Sequence, residues 1–318
     1  MIGLLVIVGP TAVGKSRVAV EIARRMRGEI ISADSMQVYR GLDIGTAKPT
    51  LAERQGIPHH LIDLVEPDDD FTVVDFQRLA GEVIERTASI GRLPILVGGT
   101  GLYVKAILEG YSIPETAGNQ ELRHELAGLA EDMGPEALHA LLARVDESSA
   151  SRIHPHDLRR IIRALEVYKT TGTPISLLQN REEGAHRYRP LIVGLSMARA
   201  RLYRRIEERV DIMLSRGWVN EVEQLLAGGC GEDLKPLQGL GYKHLVDYLR
   251  GRVGYPAVVS MIKRDTRRYA KRQMTWFRRD PRIHWISVDS YPEPEVLLEE
   301  IVQLVASRIN VIYNTDNL

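Results

Sequence analysis

Residues 9–16 read Gly-Pro-Thr-Ala-Val-Gly-Lys-Ser, the full spacing of a phosphate-binding loop, G-x-x-x-x-G-K-[ST]. Its flanks make it constraining. Leu4–Val8 is a continuous apolar run, as a buried parallel strand is. After Gly14, apolar residues recur at helical spacing: Val18, Ala19, Ile22, Ala23 and Met26. A strand, a glycine loop and a helix in that order aim backbone N–H groups and the positive end of the helix dipole at a phosphate. Gly9, Pro10, Thr11, Ala12, Val13, Gly14, Lys15 and Ser16 are therefore the candidate phosphate-binding residues. Lys15 supplies a point charge, and the Ser16 hydroxyl is the candidate ligand for Mg²⁺. A bound di- or triphosphate, including a nucleotide such as ATP, fits the loop; hydrolysis of a nucleotide does not follow from it.

A chain of 318 residues corresponds to about two domains at roughly 150 residues each. Lys+Arg and Asp+Glu both number 42, so whole-chain charge points to no partner. The distribution does. Residues 151–209 carry 13 Lys/Arg, among them Arg159, Arg160, Arg163, Arg181, Arg205 and Arg209, against 6 acids. Residues 263–282 carry 9 against 2. Basic blocks in a neutral chain suit a polyanion, although solvated helix faces look the same. Cys230 is the single cysteine, which excludes an intrachain disulfide and a cysteine zinc site and fits a reducing, cytoplasmic setting. The N-terminal apolar run is too short to span a bilayer, so no membrane segment is expected.

Short apolar runs at 4–8, 29–33, 60–65, 93–97, 190–195 and 284–288 read as buried strands, separated by helical patterns such as 73–90 and 102–108. The expectation is an α/β fold with a parallel sheet and helices on both faces. From about 113 to 189 strand character disappears. Leu122, Leu126, Leu129, then Leu138, Leu141, Leu142, then Ile161, Leu165, Tyr168 repeat at helical spacing. The expected organisation is a first core segment, 1–112, an all-helical insertion, 113–189, and completion of the core with a basic helical tail, 190–318.

Ligands gather at the carboxyl ends of strands in such sheets. Two more loops of unusual composition stand there. The first begins Asp34-Ser35-Met36-Gln37-Val38-Tyr39; a carboxylate at this strand end can hold Mg²⁺ through water, accept a proton, or simply cap a helix. The second is Gly98-Gly99-Thr100-Gly101-Leu102-Tyr103, in which glycines permit close backbone approach to a ligand. Later, Arg159, Arg160 and Arg163 share a helix turn, and 267–277 mixes basic residues with Tyr269, Trp276 and Phe277, suited either to gripping phosphates and stacking on bases or to core packing.

Taken together these stretches resemble the bacterial tRNA dimethylallyltransferase family. The matching segments are Gly-Pro-Thr-Ala-Val-Gly-Lys-Ser, Asp-Ser-Met-Gln-Val-Tyr, Gly-Leu-Asp-Ile-Gly-Thr-Ala-Lys-Pro, Gly-Gly-Thr-Gly-Leu-Tyr, Arg-Ala-Leu-Glu, Arg-Ile-Glu-Glu-Arg-Val-Asp, Gly-Leu-Gly-Tyr and Tyr-Ala-Lys-Arg-Gln-Met-Thr-Trp-Phe, in order from residue 9 to residue 277. With a single cysteine, the zinc finger of eukaryotic members is not expected here. The resemblance implies transfer of a dimethylallyl group from dimethylallyl diphosphate to N6 of the adenosine immediately 3′ of the anticodon, in tRNAs that read codons beginning with U. The phosphate loop then holds the donor's diphosphate with Mg²⁺. The family's catalytic positions map to Asp34 as proton acceptor, Thr100, and Arg209 as the diphosphate-contacting arginine, with Arg205 the second candidate. Its tRNA-contacting positions map to Asp34, Ser35, Met36, Gln37, Thr100, Arg123, Arg159, Arg160, Ile161, Ile162 and Arg163. The helical insertion is expected to clamp the anticodon stem-loop, and the chain to work as a monomer.

Three other functions share parts of this pattern. A small-molecule kinase would share the first 110 or so residues in outline but leaves the arginine-rich insertion unexplained. A prenyltransferase acting on free adenine nucleotides uses the same chemistry. An RNA-binding module with an idle loop is hard to reconcile with intact Lys15, Ser16 and Asp34.

Overall fold

The computed structural model describes residues 1–110, 119–178, 187–291 and 293–309. Six strands form one sheet: β1 (Ile2–Val8), β2 (Gly28–Ala33), β3 (His59–His60), β4 (Leu93–Gly98), β5 (Tyr188–Ser196) and β6 (His284–Ser287). Their order across the sheet is β3-β2-β4-β1-β5-β6, and every pairing is parallel. A parallel sheet needs cover on both faces, and β1 shows how it gets it. Leu4, Val6 and Val8 join one apolar core with Phe76, Ile84 and Ile107. Leu5 and Ile7 join the other, with Ile22, Leu202 and Ile301. The alternation of side chains along a strand thus feeds two cores from one continuous apolar run.

Most of the helices have readable local causes. The helix Val73–Ser89 opens on a capping box, in which Thr72 and Asp75 satisfy each other's backbone N–H groups. The helix Tyr255–Phe277 carries a proline in its first turn, where no N–H is needed. Among the described residues no helix is long and apolar enough to cross a membrane.

The strand expected at 60–65 is a correction. Only His59–His60 pairs in the sheet, and Leu61 and Asp63 take positive φ of 61° and 56°. The segment leaves the sheet because its polar groups are needed elsewhere. The Leu64 and Val65 N–H groups donate to Val38 O, and the Asp63 carboxylate accepts from Lys48 Nζ at 2.5 Å.

The chain divides into two compact units, residues 1–108 with 186–318, and residues 109–185. The second unit contains the helices Gln120–Met133, Pro135–Val145, Glu147–Ala150, Leu158–Thr171 and Ile175–Leu178, and no strand among its described residues. Its own core includes Leu126, Leu138, Leu142, Ile161 and Leu165. The upper boundary expected at 189 falls inside β5, which already begins at Tyr188. The boundary at 112/113 and Arg181 lie outside the described residues.

Candidate active site

The sheet order brings three loops together. β4 lies between β2 and β1, so the loops leaving the carboxyl ends of β1, β2 and β4 are neighbours. These are the loops at 9–14, from 34 onward, and at 99–100. All of them belong to the first compact unit.

In the 9–14 loop two glycines are required by geometry. Gly9 has φ +143°, and a Cβ there would come 2.5 Å from the Leu195 carbonyl oxygen. Gly14, with φ +108°, precedes the helix Lys15–Arg25, whose first turn has no side-chain cap. Its leading N–H groups are thus available to an anion. Lys15 Nζ donates to the Gly9 and Pro10 carbonyls, each at 2.9 Å. Burial and the nearby Arg209 push the Lys15 amine down to about 8, with Asp34 opposing. Ser16 is exposed at the start of the helix.

Asp34 follows β2 directly and is half-buried. Its Oδ1 accepts the Met36 N–H at 2.9 Å, which turns the chain and orients the carboxylate. Thr100 ties the neighbouring loop to it: its N–H donates to Ala33 O, and its Oγ1 accepts the Ser35 N–H, both at 3.2 Å. Arg209 projects from the helix Arg199–Ser215, which buries Leu202, Ile206 and Val210. Burial holds the Arg209 guanidinium below its usual range, against the opposing charge of Asp34. Lys15, Asp34 and Arg209 therefore feel one another electrostatically, whereas Arg205 is exposed. Burial and Asp34 also push the Tyr269 phenol up.

Other residues hold these loops in place. The buried Glu221 carboxylate accepts the N–H groups of Asp43, Ile44 and Gly45 at 2.9, 2.6 and 3.1 Å, and the Tyr242 hydroxyl at 2.7 Å. Trp218 is wedged between Gly45 and Gly241, where any Cβ would overlap its indole. That explains the glycines of both motifs by packing. Gln273 joins the other two loops. Its Oε1 accepts the Thr11 N–H at 2.9 Å, and its Nε2 donates to Gly99 O at 3.0 Å. Sequence reasoning did not single out Glu221, Trp218 or Gln273. A signal existed for Gln273, a polar residue in the apolar stripe of Ile262, Ala270 and Phe277.

Several expected RNA contacts have work inside the protein. Gln37 accepts from the Ser32 hydroxyl at 2.8 Å and donates to Thr46 O at 3.3 Å. In the second unit Glu166 is wholly buried, with Arg123 at 2.9 Å on one oxygen and Arg163 at 2.9 Å on the other. Burial works to raise this carboxyl's pKa, but the hydrogen bonds from Arg163, Arg123 and the Asn119 N–H outweigh it and hold it below the usual range. Ile161 is a correction: its side chain is 0 % exposed in that unit's core, so it cannot touch RNA, and Ile162 packs against the same cluster. Arg159 and Arg160 are exposed, Arg160 pairing with Asp157 at 3.3 Å.

The chain is similar to known proteins along most of its length. The IPP transferase family model matches residues 37–280, and an isopentenyl transferase model matches residues 2–67. A tRNA dimethylallyltransferase of Desulforudis audaxviator is 50% identical over 299 residues, 94% of this chain and 96% of its own. One from Symbiobacterium thermophilum is 50% identical over 305 residues, 96% and 95% of the two chains. The crystal structure of the full-length tRNA isopentenylpyrophosphate transferase from Bacillus halodurans superposes with a TM-score of 0.73 at 43% identity, covering 98% of this chain and 97% of that one. A eukaryotic dimethylallyltransferase acting on tRNA superposes with a TM-score of 0.79 at 28% identity, covering 98% and 80%.

Proposed function

The chain belongs to the IPP transferase family, and from that premise we propose how its residues work. The enzyme transfers a dimethylallyl group to tRNA. The acceptor is N6 of the adenosine immediately 3′ of the anticodon, and the donor is dimethylallyl diphosphate. The observation that carries the reading is the convergence of the 9–14, Asp34 and 99–100 loops at the ends of neighbouring strands, tied together by Gln273 and Thr100, with the charges of Lys15, Asp34 and Arg209 acting on one another.

The 9–16 segment acts as a phosphate-binding loop for the donor's diphosphate. Its open N–H groups, Lys15 and Arg209 neutralise the charge that grows on the leaving group as the C1–O bond breaks. N6 forms the new bond to C1 and becomes cationic, and Asp34 takes its proton. Thr100 holds the Asp34 loop against its own, which keeps base and acceptor in register. The exposed Ser16 hydroxyl suits Mg²⁺, an ion that binds through few protein oxygens together with substrate phosphates and water. No group of three or more His, Cys, Asp or Glu able to hold a metal occurs among the described residues. When bound, Mg²⁺ supplies further charge neutralisation of the leaving diphosphate.

The target base has to leave the anticodon loop stack to reach Asp34, at a cost of a few kcal/mol that contacts to the flipped base offset. Ser35 and Met36 line the approach beside Asp34, and Arg159 and Arg160 of the helical insertion bind stem-loop phosphates. The proposed working unit is a monomer. A tRNA substrate and the lone thiol of Cys230 both suit the cytoplasm.

The test is mass analysis of adenosine in an anticodon stem-loop incubated with protein, Mg²⁺ and dimethylallyl diphosphate. Addition of a dimethylallyl group at N6 is expected. Turnover of ATP with a small acceptor, and none of the diphosphate donor, would replace this reading with that of a kinase.

A further inference from the structure

The helix Tyr255–Phe277 buries Val258, Ile262, Ala270 and Phe277, and Gln273 sits in the same stripe. Only 6% of Gln273 is exposed. A primary amide in such a place is costly unless both its ends are hydrogen-bonded. Both are, and neither bond is local. Thr11, which donates to Oε1, is 262 residues away in sequence, and Gly99, which accepts from Nε2, is 174 away. Gly99 is shaped to this amide, because a Cβ there would overlap the Gln273 Nε2 and would stand 3.8 Å from Lys15 Nζ. The next residue, Thr100, holds the Ser35 N–H at 3.2 Å, one residue beyond Asp34. One amide thus joins the loop of Lys15 to the loop that fixes Asp34.

We propose that Gln273 is a positioning residue for group transfer, setting the separation between the donor-diphosphate loop and the acceptor-base loop. This rests on the donor and acceptor assignment above. Attack of N6 on C1 needs the two atoms at about 3–3.5 Å and in line, and a misplacement of about 1 Å costs ~10²-fold. Two loops on separate strand ends have no covalent tie short enough to hold such a tolerance. Gln273 is a neutral group that accepts from one and donates to the other. A carboxylate could still accept from Thr11 but not donate to Gly99.

The experiment compares wild type, Gln273→Met and Gln273→Glu. It reads single-turnover transfer with saturating dimethylallyl diphosphate and stem-loop, the Kd of each substrate, and Tm. Gln273→Met keeps the length and removes both bonds. Its transfer rate is expected to fall ~10–10²-fold with both Kd values within about threefold of wild type. For Gln273→Glu the rate relative to wild type is expected to recover as pH falls from about 8 to about 5.5, because a protonated carboxyl regains the donor to Gly99. A Gln273→Met rate equal to wild type overturns the proposal. So does a Gln273→Glu ratio that is flat with pH, which is decisive even where Gln273→Met does not fold. Failure of wild type itself to prenylate the stem-loop overturns the functional reading instead.

Discussion

Glu221 accepts the backbone N–H of Ile44 at 2.6 Å across 177 residues of sequence. The same carboxylate holds Asp43, Gly45 and Tyr242, so one side chain anchors the far end of the loop that begins at Asp34. Glu221→Ala removes the common acceptor and leaves partly buried N–H groups and the buried Tyr242 hydroxyl unpaired. A loss of about 2–4 kcal/mol in urea-unfolding free energy is expected. Stem-loop affinity should fall with it. A variant as stable as wild type would show that the loop is held by Trp218 packing alone.

Asp34→Ala tests the proton acceptor. Rapid-quench turnover should fall ~10²–10⁴-fold, while the Kd for dimethylallyl diphosphate measured by calorimetry changes little. Unchanged turnover would remove Asp34 from the chemistry.

Lys15 gives donor binding a pH dependence with a definite sign. Its amine sits at about 8 in the free protein, pushed down by burial and Arg209. A bound diphosphate favours the cation, so binding raises that value and takes up a proton above pH about 8. Below about 8 the amine is already charged and affinity is flat. Above it, affinity should weaken by up to about tenfold per pH unit. Calorimetry in buffers of different ionisation enthalpy reads the proton uptake directly. Lys15→Arg should bind with little pH dependence across this range; retention of the wild-type slope would assign the titration to another group.

The insertion arginines should separate into two kinds. Arg123→Ala and Arg163→Ala each strip a cation from the wholly buried Glu166, and a lower Tm is expected from both. Arg159→Ala and Arg160→Ala, on exposed side chains, should leave Tm near wild type. They should weaken stem-loop binding and reduce the log–log salt slope by about 0.7–0.9 for each phosphate no longer neutralised. Equal salt slopes in all four variants would place the RNA elsewhere.

Element order was legible in the residues themselves. The apolar runs at 93–97 and 190–195 became β4 and β5 with one or two residues added at their ends. The helical pattern at 73–90 became the helix Val73–Ser89, one residue shorter. Periodicity and glycine spacing are local, and burial on both faces of a parallel sheet writes them into short windows. The same locality made Lys15, Ser16, Asp34 and Thr100 visible, since each stands at the end of a strand pattern. It failed at 61–65, where the run is apolar but Asp63 is drawn away by Lys48.

What the sequence alone determined is therefore the series of strands, helices and strand-end loops. Tertiary structure alone decided which polar groups those loops rest on. Nothing near Gln273 or Glu221 in the chain names Thr11, Gly99 or Ile44 as partners. Nor does the run Arg159–Arg163 show that Arg163 is paired with Glu166 while Arg159 is exposed. A side chain's period along a helix tells which face it occupies. Its hydrogen-bond partner depends on which distant backbone the packed cores bring to that face, and that is settled only when the whole chain is folded.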